Sequence, residues 1–392
     1  MSKAKTVFTG AIVLYFIIGL EFLIMISPFA GLFYSVFNPL LIAAGSHPPT
    51  RWLSAFFLPH MVVPPSALLQ YIRILGSVLL VLGMATFLVC AVQVYAHKLL
   101  RKGAALKGLY AVIRHPQYLA LGMTGLGLSI LWPRFLIVVL WLVMMILYYL
   151  LAVDEERRML KAYPETYAAY RERTGMFLPR NFEQRVIPRT GAGKAASFIL
   201  VWVLVLGGAF ALRAYTVNHL PVWTDGNVVA LAINPADVLM MEHRLPDILN
   251  LPVVQARLKT GQRYLIYFLP PNYIMQGLIA DTGGEWRLYK QHHTVQMITD
   301  WIFHPFGHLI EGHGMHPAPG ASGHLVAQGL ERRLVFVKVS GTTGQTPLDV
   351  FAIGAERSPQ FLLDVQVHAL TIQDVKDLPQ NTAWVNVPTP IF

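Results

Sequence analysis

FLIVVLWLVMMILYYLLAV, Phe135 to Val153, is nineteen consecutive residues without a charge, a proline or a glycine. As a helix it rises about 28 Å, close to the ~30 Å hydrocarbon core of a bilayer. Similar runs extend from Val7 to Ile26, Tyr71 to Tyr95, Tyr118 to Leu131 and Ala196 to Ala214. The third is short and stops at Pro133, so Trp132-Pro133-Arg134 makes a tight hairpin into the fourth. Phe29 to Ala44 is also apolar, but Asn38-Pro39 interrupts it. That piece reads as interfacial or re-entrant, with a sixth span as the alternative. Lys3 and Lys5 precede the first run and no small-residue cleavage site follows it, which reads as a retained anchor.

Composition agrees. Hydrophobic residues make up 55% and charged residues 13%, against roughly 25% charged in an average domain. The net charge of +10 does not point to nucleic acid, because the excess sits in short loops between apolar runs. His97 to Gln117 carries Lys98, Arg101, Lys102, Lys107 and Arg114 with no acid, and Asp154 to Ala195 carries nine Lys or Arg. The opposite loops hold only Arg51 and Arg134, with Arg73 and Arg213 at span ends. Positive charge collects on the cytoplasmic side. The N-terminus is therefore expected inside and, after five spans, everything beyond Tyr215 outside.

Beyond Tyr215 no run is long enough to span. Short β-branched stretches, Arg263 to Leu269, Leu334 to Val339 and Phe361 to Val367, alternate with turn residues and read as strands. Acids outnumber bases there by fourteen to eleven. The expected architecture is an α-helical polytopic membrane domain of about five transmembrane helices, residues 1–215, followed by a soluble β-rich (α+β) extracytoplasmic domain, residues 216–392. Cys90 is the only cysteine, so no disulfide forms within the chain. For an exported domain that favours a bacterial periplasm, and hence an inner-membrane protein.

Two stretches carry chemistry. Gly108-Leu109-Tyr110-Ala111-Val112-Ile113-Arg114-His115-Pro116-Gln117-Tyr118 lies where a basic loop enters the third run. Asp154-Glu155-Glu156-Arg157-Arg158 follows the fourth, then Tyr163, Tyr167, Tyr170, Arg171 and Phe177-Leu178-Pro179. A snorkelling Arg, a Pro at a helix start and an interfacial Tyr are ordinary at a membrane boundary. Three adjacent acids at a cytoplasmic span end are less ordinary, since that leaflet repels negative charge. Spacings of four, three and seven place Tyr163, Tyr167, Tyr170 and Phe177 on one helix face.

Together these stretches resemble the isoprenylcysteine carboxyl methyltransferase and phospholipid methyltransferase superfamily. The motifs are Gly-x-Tyr at Gly108 to Tyr110, Arg-His-Pro-x-Tyr at Arg114 to Tyr118, Glu155-Glu156, and the Tyr-rich segment Tyr167-Ala168-Ala169-Tyr170-Arg171 ending near Pro179. The likeness spans roughly residues 78–179. Ala120 stands where many members have Gly, and Gly122 follows.

The resemblance implies S-adenosylmethionine as cofactor, held by Tyr110, Arg114, His115, Pro116, Tyr118, Glu155, Glu156, Tyr170 and Arg171. No separate catalytic residue is implied. Arg114 and His115 suit the cofactor's carboxylate, Glu155 or Glu156 its ammonium or ribose hydroxyls, and the tyrosine faces its adenine or sulfonium. The implied partners are the bilayer and a lipophilic or lipidated acceptor that enters sideways between helices. Sterol reductases share a similar motif, so a nicotinamide-dependent membrane reductase is the rival enzyme. A non-catalytic scaffold with an external ligand-binding domain is the rival of another class.

Two further features stand apart. Glu21 lies inside the first run, and an intramembrane carboxylate is a functional candidate. His304, His308, His313 and His316, near Glu311, have the side chains for a zinc or copper site. Pro305, Gly307, Gly312 and Gly314 break any regular helix that would present them together, so a Gly/His-rich surface loop is the plainer reading.

Overall fold

A computed structural model describes residues 38–100, 106–188, 190–270, 331–342, 344–378, 388 and 391–392. In chain order the helices are α1 (Asn38–Ser46), α2 (Ala67–Leu99), α3 (Pro116–Leu131), α4 (Phe135–Ala162), α5 (Pro164–Arg173), α6 (Arg180–Val186), α7 (Gly191–Val217), α8 (Val238–Leu249) and α9 (Pro252–Gln255). The strands are β1 (Val222–Asp225), β2 (Val228–Ala232), β3 (Arg263–Leu269), β4 (Glu331–Ser340), β5 (Glu356–Gln366) and β6 (Thr371–Asp377). The chain divides into two compact units. One holds Arg73–Gly208, and the other joins Leu40–Ile72 to Ala209–Phe392.

Among the described residues three helices are long and apolar enough to cross a membrane: α2, α4 and α7. The chain is accordingly an integral membrane protein. The run from Val7 to Ile26, with Glu21, lies outside the described residues. The expected third span is α3, a helix of 16 residues. It rises only about 24 Å, short of the hydrocarbon thickness. Pro116 occupies its first turn, where a missing N–H costs nothing. Pro133 ends it by excluding the helical region for Trp132.

In the first unit α3 packs closely on α2 because glycines face backbone. A Cβ on Gly127 would lie 2.5 Å from Leu80 N, and one on Gly83 2.7 Å from Ala120 O. Small residues permit this approach, as they do generally between helices in membranes. On its other side, α3 meets α4 through Trp141, whose Nε1 donates to Gly122 O at 2.8 Å. A Cβ on Gly122 would meet Met145 Sδ at 2.9 Å. Ala120 and Gly122 are thus both committed to helix packing.

The second unit is built on a six-stranded sheet of order β1-β2-β3-β4-β5-β6. β2 and β3 are parallel, joined through α8 and α9, and every other pair is antiparallel. Alternate residues face opposite sides. Ala230, Ile266, Phe268 and Phe336 pack against Met241, Leu245 and Ile248 of α8. Leu231, Leu265, Tyr267 and Val335 pack against Phe56, Val62 and Phe351. Both faces being covered explains why β3, RYLIYFL, reads as a continuous apolar run.

The stretch before α2 joins this unit through Arg213 near the end of α7. Its guanidinium donates to the carbonyls of Phe56 and Phe351 and lies 4.9 Å over the Phe392 ring. Thr216 Oγ1 donates to Phe57 O at 3.2 Å. Nothing in the local sequence around Phe56 announces this partnership.

Candidate functional site

The site lies within the first unit, where the start of α3, the last turns of α4 and the segment after α5 converge. A 3-10 turn at Gly108–Ala111 precedes α3, and Gly108 has φ +65°, a left-handed conformation that glycine adopts without steric cost. The chain then runs beside residues 174–176 as a short parallel pair. Arg114 N donates to Gly175 O at 2.8 Å, His115 N to Met176 O at 3.1 Å, and Gly175 N to Val112 O at 3.3 Å. Any side chain at Gly175 is excluded, because a Cβ there would stand 1.8 Å from Leu178 O. Glu183 on α6 fixes the turn that follows, its Oε2 accepting from the amides of Met176, Phe177 and Leu178.

Four charged side chains meet on this frame. Arg114 Nε donates to Glu156 Oε1 at 2.6 Å. Its Nη1 donates to Arg171 O at 3.2 Å and to Thr174 O. His115 Nδ1 lies 3.5 Å from Glu155 Oε2, and its Nε2 lies 3.4 Å from Glu156 Oε1. The Nε2 contact lacks the alignment of a hydrogen bond and is best described as ionic. Tyr118 OH donates to Glu155 Oε2 at 3.4 Å. Only Glu155 opens to solvent, with its side chain 41% exposed against 12% for Glu156 and 4% for His115.

Burial opposes charge on His115, but Glu155 and Glu156 outweigh it and raise the imidazole's pKa above its ordinary value. The site therefore favours an imidazolium between two carboxylates. Burial pushes the Tyr170 phenol up to about 12, with Arg114 pulling the other way. Tyr170 stays a neutral donor, and its hydroxyl gives a 2.6 Å hydrogen bond to Tyr110 O.

An aromatic column leads from these charges into the helices. The His115 and Tyr118 rings stack at 5.6 Å and 17°, and Tyr118 stacks on the fully buried Tyr148 at 5.6 Å and 10°. Phe177 closes over His115 at 5.9 Å.

The structure brings together Tyr110, Arg114, His115, Pro116, Tyr118, Glu155, Glu156 and Tyr170, which the sequence separates by up to sixty positions. Arg171 contributes its carbonyl, while its side chain is exposed. The expected single tyrosine face is only half present. Tyr167 and Tyr170 are buried on α5, whereas Tyr163 is 56% exposed at its start and Phe177 lies beyond its end. The cause is Pro164, which begins a new helix and breaks the period. Thr174, Gly175, Glu183 and Tyr148 were missed. Tyr148 carried one signal, a hydroxyl in the middle of an apolar run, and such a group needs a partner when buried. His304, His308, His313 and His316 lie outside the described residues.

No curated protein and no solved structure matches this chain. Residues 51–174, which carry α2, α3, α4 and α5, match a family described as a protein of unknown function (DUF1295).

Proposed function

We propose that the protein is an integral-membrane methyltransferase. It takes a methyl group from S-adenosylmethionine and places it on a lipid-like or prenyl-like acceptor at the cytoplasmic face. The observation that carries this reading is the convergence of His115, Glu155, Glu156 and Tyr118 at the end of apolar helices, with an aromatic column running inward. The donor set fits the cofactor, since it offers a buried cation, a half-open carboxylate and ring faces in one place. S-adenosylmethionine, when bound, supplies an electrophilic methyl on a sulfonium.

The protein's own residues then divide the work. Glu155 is the acid free to accept from an ammonium or ribose hydroxyl. His115, whose imidazolium form Glu155 and Glu156 favour, holds those two carboxylates in place. Tyr110 offers a ring to a cationic or aromatic group, while Tyr118, stacked between His115 and Tyr148, steadies the imidazole. Arg114 has its Nε engaged by Glu156 and its Nη1 by the Arg171 and Thr174 carbonyls, so it braces the frame. Orientation and exclusion of water suffice for a direct displacement.

The charge bias of the loops supports a cytoplasmic site. Leu40–Ile72 and Ala209–Phe392, both assigned outside by charge, share one compact unit, which supports placing both on the periplasmic side of a bacterial inner membrane. Calorimetry on the purified protein tests the cofactor. S-adenosylmethionine is expected to bind, with no displacement by NADPH. The reverse order would replace methyl transfer with the reductase chemistry.

A further inference from the structure

We infer that α6 is an interfacial anchor that seats on the anionic phospholipid headgroups of the leaflet flanking the site. Glu183 is turned inward by the three amides it accepts from, which fixes the orientation of this helix. Phe182 and Val186, four positions apart and so on one face, are left 54% and 56% exposed. Arg185 stands exposed beside them and Arg180 is half-buried at the start of the helix. From Arg157 to Lys194 there are nine bases against Glu165, Glu172 and Glu183, and the last of these acids is already engaged. An apolar pair flanked by bases matches an acyl boundary under a negative surface. α6 also lies between two membrane-crossing helices, α4 and α7, so it cannot travel far from that surface.

The inference is independent of the methyl-transfer reading, and its test needs no cofactor. Cys90 is the only cysteine and is buried, so a cysteine placed on α6 takes a spin label alone. Phe182→Cys and, separately, Val186→Cys are labelled and reconstituted into vesicles of phosphatidylcholine with or without phosphatidylglycerol. Power saturation then compares contact with oxygen, which prefers acyl chains, and with a water-soluble nickel chelate. Both labels are expected to favour oxygen in the anionic vesicles, and to lose that preference in neutral lipid or high salt. A label at the exposed Glu172 (Glu172→Cys) should favour nickel throughout. Arg185→Gln should weaken the anionic preference about fivefold, the effect of one base near a charged surface. Labels at 182 and 186 as wet as the one at 172, or equally oxygen-accessible in both lipids, would overturn the inference.

Discussion

At the residue scale the site is a closed network, and removing one member leaves another stranded. Glu156→Gln takes the carboxylate from an Arg114 side chain that is only 8% exposed. Breaking a buried pair on one side costs about 3–5 kcal/mol, so the thermal midpoint of the purified protein should fall clearly, whereas Lys107→Gln on the same loop should leave it unchanged. His115 gives a pH dependence with a defined sign. Its pKa is raised in the folded state, so its contribution is full below the ordinary value of 6.5. The contribution is lost as pH rises through the higher folded value. The stability difference between wild type and His115→Gln should therefore shrink as pH increases above neutrality, and a difference that grows would contradict the assignment. Arg114 and His115 were legible through the motif resemblance, and Glu155 and Glu156 also because adjacent acids are out of place at a leaflet that repels negative charge. Glu183 and Thr174 were not, because their partners are backbone groups that carry no sequence signature.

At the element scale close helix contact decides which glycines matter. Gly127→Ala forces a Cβ into the Leu80 backbone at 2.5 Å and should lower folded yield and thermal midpoint. Gly207→Ala on α7, where nothing lies within 4 Å, should be neutral or slightly stabilising, since alanine is the better helix former. Equal effects from the two would show that α2 and α3 do not pack as described. The positions of α2, α4 and α7 were readable from their apolar runs. The shortness of α3 was readable too, through its stop at Pro133, and only its start at Pro116 rather than Tyr118 was not. In the sheet, β3 matched its expected range and β4 and β5 contain or overlap theirs. β2, VVALA, was missed because a short strand buried on one face and nearly so on the other shows no alternation. α8 was not read from the sequence; it is a helix of 12 residues with Pro246 inside it, a residue that ordinarily interrupts one.

At the scale of the whole molecule, a membrane unit carries the charged cluster and a second unit joins the pre-α2 segment to the C-terminal sheet. The proposed topology, which rests on the charge bias of the loops, predicts Phe392 outside. An alkaline phosphatase fusion after Phe392, active only outside the cytoplasm, should be active; an inactive fusion would make the Phe29 to Ala44 segment a true span. The joining of Leu40–Ile72 to the sheet was illegible, because Arg213 makes it through main-chain carbonyls far away in sequence.

Methyl transfer itself is tested most directly with S-adenosylmethionine carrying a radiolabelled methyl group. The purified protein is incubated with it and a membrane lipid extract, and the organic phase is counted. Label is expected to enter the lipid fraction with wild-type protein. With Glu155→Gln, which removes the half-open carboxylate, transfer should fall about ten- to a hundredfold, as expected for losing a charge-assisted contact of roughly 1.5–3 kcal/mol. Lipid that stays unlabelled with folded wild-type protein, or that labels equally with Glu155→Gln, would contradict the account.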